Sequence, residues 1–578
     1  MVAQLRNMSR FLFIFWTLSL LATTSVHAQF DYTTNADDTL TITGYFGTNA
    51  NVVVPSIIDG LRVTQIGNGA FYRQTFVTNV SLPTGVANIE TSAFESDTGL
   101  IGIAMPATVT NIEDYAFYDA GITSITVPGN VLNIGPAAFD DCDRLANLVI
   151  SNGVASIGED AFYGCSALPS ITIPETVTNI ALYAFDNCMS LTNIFVEPEN
   201  LYYSSSNNVL FDKARTTLIQ FPGGFAGSYT IPGTVDDIGS GGFAYCGGLT
   251  SVSLPQNVSN IGDDAFLGCS SLGSISMGDQ ITNIGAEAFM FCSNLTSLRI
   301  PDSVTSIGEY VCCFCVALTN VSISDSLTNL PDGMFFDCMS LPQAVIPNSV
   351  TSIGSAFFSC SNLVSITIPD TVTNIGNFAF SFCAFSNLRL PGALITIGPF
   401  GFEYCTNLTN VIIPASVTTI SNGAFQNCTM LNSVTVLGSG IEISADAFCA
   451  CQSLASLFVA GDAPILAPAA FAYDTNAIAY YLDSATGWSE FTESSGIPAV
   501  LWNAVIQTSD GNFGVRNGQF GFDIMGTINI PIVVESCSNL ANPVWVPLQS
   551  LTLTNGLFYF SEPFQPDTAG RFYRISSP

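Results

Sequence analysis

Cysteine is the residue whose placement could most readily do chemistry in this chain. Of 17 cysteines, 13 occupy one slot, three positions after a recurring phenylalanine or, for Cys315, after the Cys312 that replaces it: Cys142, Cys165, Cys188, Cys246, Cys269, Cys292, Cys315, Cys338, Cys360, Cys383, Cys405, Cys428 and Cys451. Thiols can pair in an oxidising compartment, bind soft metals or act as nucleophiles. The spacing speaks against all three. One cysteine per repeat, always in the same slot, points the same way as its neighbours rather than at them. The pattern therefore predicts a ladder of buried thiols, since free cysteine behaves as a small, well-buried hydrophobe. Local pairing stays open at Cys312–Cys313–Cys315 and at Cys449–Cys451, where an extra cysteine lies close by.

Other chemistries are limited by what is missing. The single histidine, His27, falls in the N-terminal apolar leader, so Ser-His-Asp and Cys-His mechanisms lack their base. Zinc would need histidine or paired CxxC motifs, so neither a metal nor a cofactor is expected. Lys213 is the only lysine and sits in no phosphate-binding loop. A carboxylate pair could still hydrolyse a glycan. Its candidates, such as Glu159-Asp160, Asp263-Asp264 and Glu287, fall in one turn of the repeat and read as surface solvation. No catalytic residue is assigned, and the chain reads as a non-enzyme.

What must position these residues is a repeat. Phe71, Phe94, Phe117, Phe139, Phe162 and Phe185 are followed by Phe243, Phe266, Phe289, Phe335, Phe357, Phe380, Phe402, Phe425, Phe448 and Phe471, with Cys312 in the remaining slot. The step from one slot to the next is constant to within a position, except for the long gap between Phe185 and Phe243. Such a period means a solenoid whose units bury their apolar faces against each other. Within one unit, Leu168, Ile171 and Ile173 fit a strand ended by Pro174, with Ser170 and Thr172 outward. Val177 and Ile180 form a shorter apolar pair on the return path, and the Gly-x-x-Ala-Phe segment fits a tight helical turn.

The segments SNIGDDAFLGCSSLGSISM (259–277) and TNIGAEAFMFCSNLTSLRIPDSVTSIG (282–308) resemble the BspA-type leucine-rich repeat of bacterial surface proteins. The resemblance implies a mainly β leucine-rich-repeat solenoid with a parallel sheet, and adhesion to macromolecules as a class of function. A repeat scaffold hosts many ligands, so it names none.

Around the repeats the chain divides further. Arg6 and Arg10, the apolar run Phe11–Ala22 and the small-residue site Val26-His27-Ala28 predict a signal peptide over 1–28. Its removal takes away two arginines and shifts the formal net charge from −33 to −35. Such a surface repels nucleic acid and anionic membranes, and no later segment is long and apolar enough to span a bilayer. Residues 29–60 read as an N-terminal β cap and 61–502 as about 17 repeat units. An insertion near 197–231 and a closing cap over 463–502 belong to that stretch. Beyond it the period stops, and runs such as Ile530–Glu535 predict a small all-β module over 503–578. That module resembles C-terminal modules of exported proteins from environmental Gram-negative bacteria.

The outward strand positions form a long, nearly uncharged surface of hydroxyls and amides. Phe195, Arg299, Arg389, Ile412 and Phe458 interrupt it and are the candidate anchors, as aromatic and arginine side chains usually are. The expectation is a secreted or cell-surface recognition protein binding an extracellular protein or glycan. The alternatives are a spacer that presents the C-terminal module and, behind it, a carboxylate-pair hydrolase.

Overall fold

The computed structural model of the protein describes residues 29–509, 511–564 and 570–576. The expected signal peptide lies outside them. The chain forms two compact units, one ending at Leu318 and the other beginning at Thr319. Among the described residues no helix is long and apolar enough to cross a membrane.

In the first unit the alternation of the repeat becomes a coil of two strands. In Ser170–Ile173, Ser170 and Thr172 are exposed while Ile171 and Ile173 are buried. This strand pairs in parallel with Asn193–Val196, placing Ser170 beside Asn193 and Thr172 beside Phe195. The return path adds a second parallel sheet that the periodicity did not announce. Its two-residue strands stack in register, as in Ile134, Ile157 and Ile180. A strand this short cannot reveal itself by alternation, yet its N–H and C=O groups still need partners, and the neighbouring coils supply them.

The Ala-Phe segment is a run of turns rather than a helical turn. The residues two before and two after the phenylalanine have positive φ, as in Asp160 (54°) and Gly164 (67°) around Phe162. That geometry directs N–H groups along the stack: Phe117 N–H donates to Ala138 O, and Phe139 N–H to Ala161 O, both at 2.8 Å. The rings follow. From Phe71 through Phe185, consecutive centroids lie 4.9–5.8 Å apart with planes within 17° of parallel. Each such ring is fully or almost fully buried, contributing about 1.5–3 kcal/mol per side chain.

The insertion is a hairpin followed by an irregular coil. Tyr203–Ser206 pairs antiparallel with Val209–Asp212 across Asn207 and Asn208, both in the left-handed region that a tight hairpin turn requires. Thr217–Gln220 then joins the second parallel sheet through Asp237–Ile238. Phe221 lies 4.8 Å from Phe243 with its ring tilted by 32°, so the phenylalanine column resumes one ordinary step of the repeat before Phe243.

The second unit repeats the coil. Its rings from Phe335 to Phe471 stack at 5.2–5.6 Å. The α-helix Trp488–Ser495 follows, with Trp488 stacked on Tyr481 at 4.7 Å. From Val505 the pairing becomes antiparallel, in two sheets built on Gln519–Met525 and Ile530–Cys537. Their shared core joins Phe522, Ile524, Ile532, Val534 and Phe560 to Phe458 and Tyr480 of the coils.

Candidate recognition face

All 17 cysteines carry thiols rather than disulfides, and all are buried, including Cys312, Cys313, Cys315, Cys449 and Cys451. The ladder thiols share one kind of partner. Their Sγ–H donates to the carbonyl of the phenylalanine one coil earlier, as from Cys142 to Phe117 (3.1 Å), Cys292 to Phe266 (3.2 Å) and Cys405 to Phe380 (3.2 Å). Burial pushes the Cys142 and Cys292 thiols up, so they stay protonated; Cys269 and Cys405 reach about 12. A protonated, inaccessible thiol is neither nucleophile nor ligand. Among the described residues no three His, Cys, Asp or Glu side chains converge as metal ligands.

The outward strand positions form the expected polar face over most of the strands. Ser274, Ser276, Ser297, Arg299, Ser365, Thr367, Asn410 and Ile412 are all exposed. Side chains of successive coils meet in register, and amides bridge them: Asn79 Nδ2 donates to Asn51 Oδ1 (2.8 Å), and Asn147 Nδ2 to Ser124 Oγ (3.2 Å). In the first unit the face dips into a trough of about 560 Å³ over Asn51, Val53, Asn79, Ser81, Gly102, Ala104 and Ser124. Gly102 stands where neighbouring coils carry serine or asparagine, which deepens it. No lining residue is charged.

The five candidate anchors do not share one environment. Phe195 and Ile412 are open, 47% and 57% exposed. Arg299 and Arg389 are also open, but each is engaged, with Asp279 at 3.0 Å and Asp370 at 2.9 Å. Phe458, expected to be open, is 6% exposed. It stacks on Tyr480 at 5.0 Å under the antiparallel sheets, and Ser433 and Ser456 are buried with it. Trp502 Nε1 donates to Pro531 O at 3.0 Å and ties the last coil to that cover.

Two groups were not anticipated from the sequence. Aromatic residues two before and two after the core phenylalanine form rows of their own: Phe378 stacks on Phe400 at 5.0 Å, and Phe382 on Tyr404 at 4.7 Å. Their spacing is that of the repeat itself, so the period could have revealed them. The second group is a set of buried acids, distinct from the turn carboxylates read as surface solvation. Asp160, Asp264 and Glu287 sit at or near the surface, with Asp264 accepting the Tyr183 hydroxyl at 2.7 Å. Asp97, Asp186 and Asp474, by contrast, are in the core. Burial pushes the Asp186 carboxyl up to about 8, opposed by the Gln220 side chain. Enclosed carboxyls of this kind cannot reach a glycosidic bond.

The model of the BspA type leucine rich repeat region matches residues 64–192, 133–226, 225–341 and 328–455. No curated protein matches the chain. Among solved structures, a leucine-rich repeat protein from Eubacterium ventriosum is 25% identical, with TM-score 0.49, covering 65% of this chain and 92% of its own. A leucine rich cell surface protein from Faecalibacterium prausnitzii is 25% identical, with TM-score 0.36 and coverage of 71% and 94%. A leucine-rich repeat protein from Bacteroides ovatus is 24% identical, with TM-score 0.38 and coverage of 74% and 93%.

Proposed function

The chain belongs to the BspA-type leucine-rich-repeat family, and from that premise we propose that it is a non-enzymatic recognition protein, secreted or held at the cell surface, that binds an extracellular protein or glycan through its strand face. One observation carries the reading. In a chain of net charge −33, successive coils present a register-aligned face of hydroxyls, amides and small apolar groups with almost no charge. A face kept clear of charge, in a protein that carries its acids elsewhere, suits contact with a neutral surface, and solenoids generally bind through such extended faces.

The organisation proposed with it is a leader over 1–28, a cap over 29–60, the solenoid over 61–502 and an export-associated module over 503–578. The leader's composition is what supports export. The module's packing on Phe458 and Tyr480 supports its being fixed to the solenoid rather than displayed at the end of a stalk.

The test is a binding screen of residues 29–578 on glycan and extracellular-matrix arrays. It is followed by the combined variant Phe195→Ser, Arg299→Ser, Arg389→Ser and Ile412→Ser. These are open side chains, so folding should hold while affinity falls at least tenfold. Retained affinity in a folded variant would remove the strand face as the site. A ligand that instead tracked changes on the antiparallel sheets would make the repeats a spacer.

A further inference from the structure

Two carboxyls occupy the slot that in most other coils holds a thiol, with Gln74 and Ala120 among the other exceptions. Three positions after Phe94 stands Asp97, and three after Phe471 stands Asp474. Asp97 is fully buried and Asp474 is 3% exposed. In the thiol-bearing coils this slot makes one recurring hydrogen bond, in which Cys360 donates to Phe335 O at 3.1 Å and Cys451 to Phe425 O at 3.2 Å. Gln74, in the same slot, also donates, to Tyr45 O at 3.2 Å, and Ala120 fills it with no polar side-chain atom. Wherever the other coils place a polar side chain there, it is therefore a proton donor. A carboxylic acid has one donor proton; a carboxylate has none.

The surroundings of both groups agree with the neutral form. Asp97 Oδ1 accepts the Gln74 N–H at 2.6 Å, and Oδ2 is buried without a partner. That N–H is the one group favouring its anion. Arg144 donates to the neighbouring Thr98 carbonyl at 3.4 Å but sits exposed beside Asp143. Around Asp474, the Cys451 N–H favours the anion, although neither carboxyl oxygen has a complete hydrogen bond. The Cys449 thiol also lies within its electrostatic reach and offers no positive charge. An unpaired buried anion costs far more than a buried neutral acid.

We propose that Asp97 and Asp474 are built in as neutral acids that act as donors in the thiol slot, so that their coils are sealed in acidic surroundings and loosened when the two groups ionise. Burial pushes each carboxyl up to about 8 from 3.8, so the folded chain keeps a proton that the unfolded chain gives up. Their contribution to stability is then complete below pH about 4. It declines as pH rises towards about 8 and is constant beyond. A recognition protein with this device holds its ends best in an acidic niche.

Infrared spectroscopy of residues 29–578 tests the protonation directly, and hydrogen exchange tests the consequence. At pH 6 the protein should show a carboxylic-acid carbonyl band that weakens in the double variant Asp97→Cys, Asp474→Cys. Between pH 5 and 8, the opening constants of segments 71–97 and 451–474, corrected for intrinsic exchange, should rise by up to about tenfold per pH unit. The same segments should show a flatter profile in the variant. Asp186 and Asp140 ionise in both proteins, so the difference between profiles reads the two slots. Should the cysteine variant fail to fold, Asp97→Asn with Asp474→Asn keeps an N–H donor without a titrating proton and should flatten the profile likewise. An unchanged band, or equal slopes in wild type and a folded variant, overturns the proposal.

Discussion

One row of the second unit runs from open surface into core without leaving register. Ile412 pairs beside Thr435, Thr435 beside Phe458, and Phe458 beside Tyr480. Ile412 is 57% exposed and Tyr480 only 4%. All four occupy the same outward position of the same strand. The difference comes from residues after 504, which fold back over the last coils and turn an outward hydrophobe from a contact side chain into a packed one. Position in a repeat thus decides which way a side chain points. It does not decide what the side chain meets there.

The largest expected effect lies on that contrast. Phe458→Ser should destabilise the second unit by about 3–5 kcal/mol, as loss of a buried ring does, whereas Ile412→Ser should stay within about 0.5 kcal/mol. Urea unfolding followed by the fluorescence of Trp488, Trp502 and Trp545 measures both. Equal losses would mean that Ile412 is also covered, and the strand face would be shorter than proposed. Equal neutrality would mean that the antiparallel sheets do not rest on the coils.

A smaller effect separates the thiol ladder from the open face. Cys405→Ala removes a buried donor to Phe380 O and should cost about 1 kcal/mol for the hydrogen bond. Ser365→Ala, at an exposed strand position, should be close to neutral. In the native protein the thiols should resist a water-soluble disulfide reagent and react only after denaturation. Rapid labelling of Cys405 in folded protein would place it at the surface and break the contrast.

Much of this was legible in the amino-acid sequence. The strict period from Phe71 to Phe471 carried the phenylalanine column, the thiol slot and the inward or outward sense of each strand residue, because those properties repeat. What was too short to show a pattern, or rested on contacts between distant segments, was hidden. The second sheet rests on strands such as Ser156–Ile157, too short for alternation to show. The cover over Phe458 depends on contacts between segments far apart in the chain, such as Phe458 with Phe522. Asp97 and Asp474 stood in a recognisable slot, but a carboxyl there reads as an exception until the donor role of the thiol is seen.

The smallest expected effect concerns Arg389. Its Nη2 donates to both oxygens of Asp370, at 2.9 and 3.0 Å, and the Gly392 N–H holds the same carboxylate at 2.9 Å. The Arg389 hydrogen bond, with that of Gly392, holds the Asp370 carboxyl below its usual range. Such a group adds stability above its unfolded pKa and loses it as pH falls through the lowered value. Both side chains are more than half exposed, however, and water and salt screen the pair. Arg389→Gln should therefore leave the unfolding midpoint unchanged at physiological salt. It should still alter affinity for a ligand seated on the face, because an exposed guanidinium can trade Asp370 for a partner. A shift in affinity at constant midpoint would place Arg389 in the contact. A drop in midpoint would make the ion pair structural, and the strand face would then be less independent of folding than Ile412 implies.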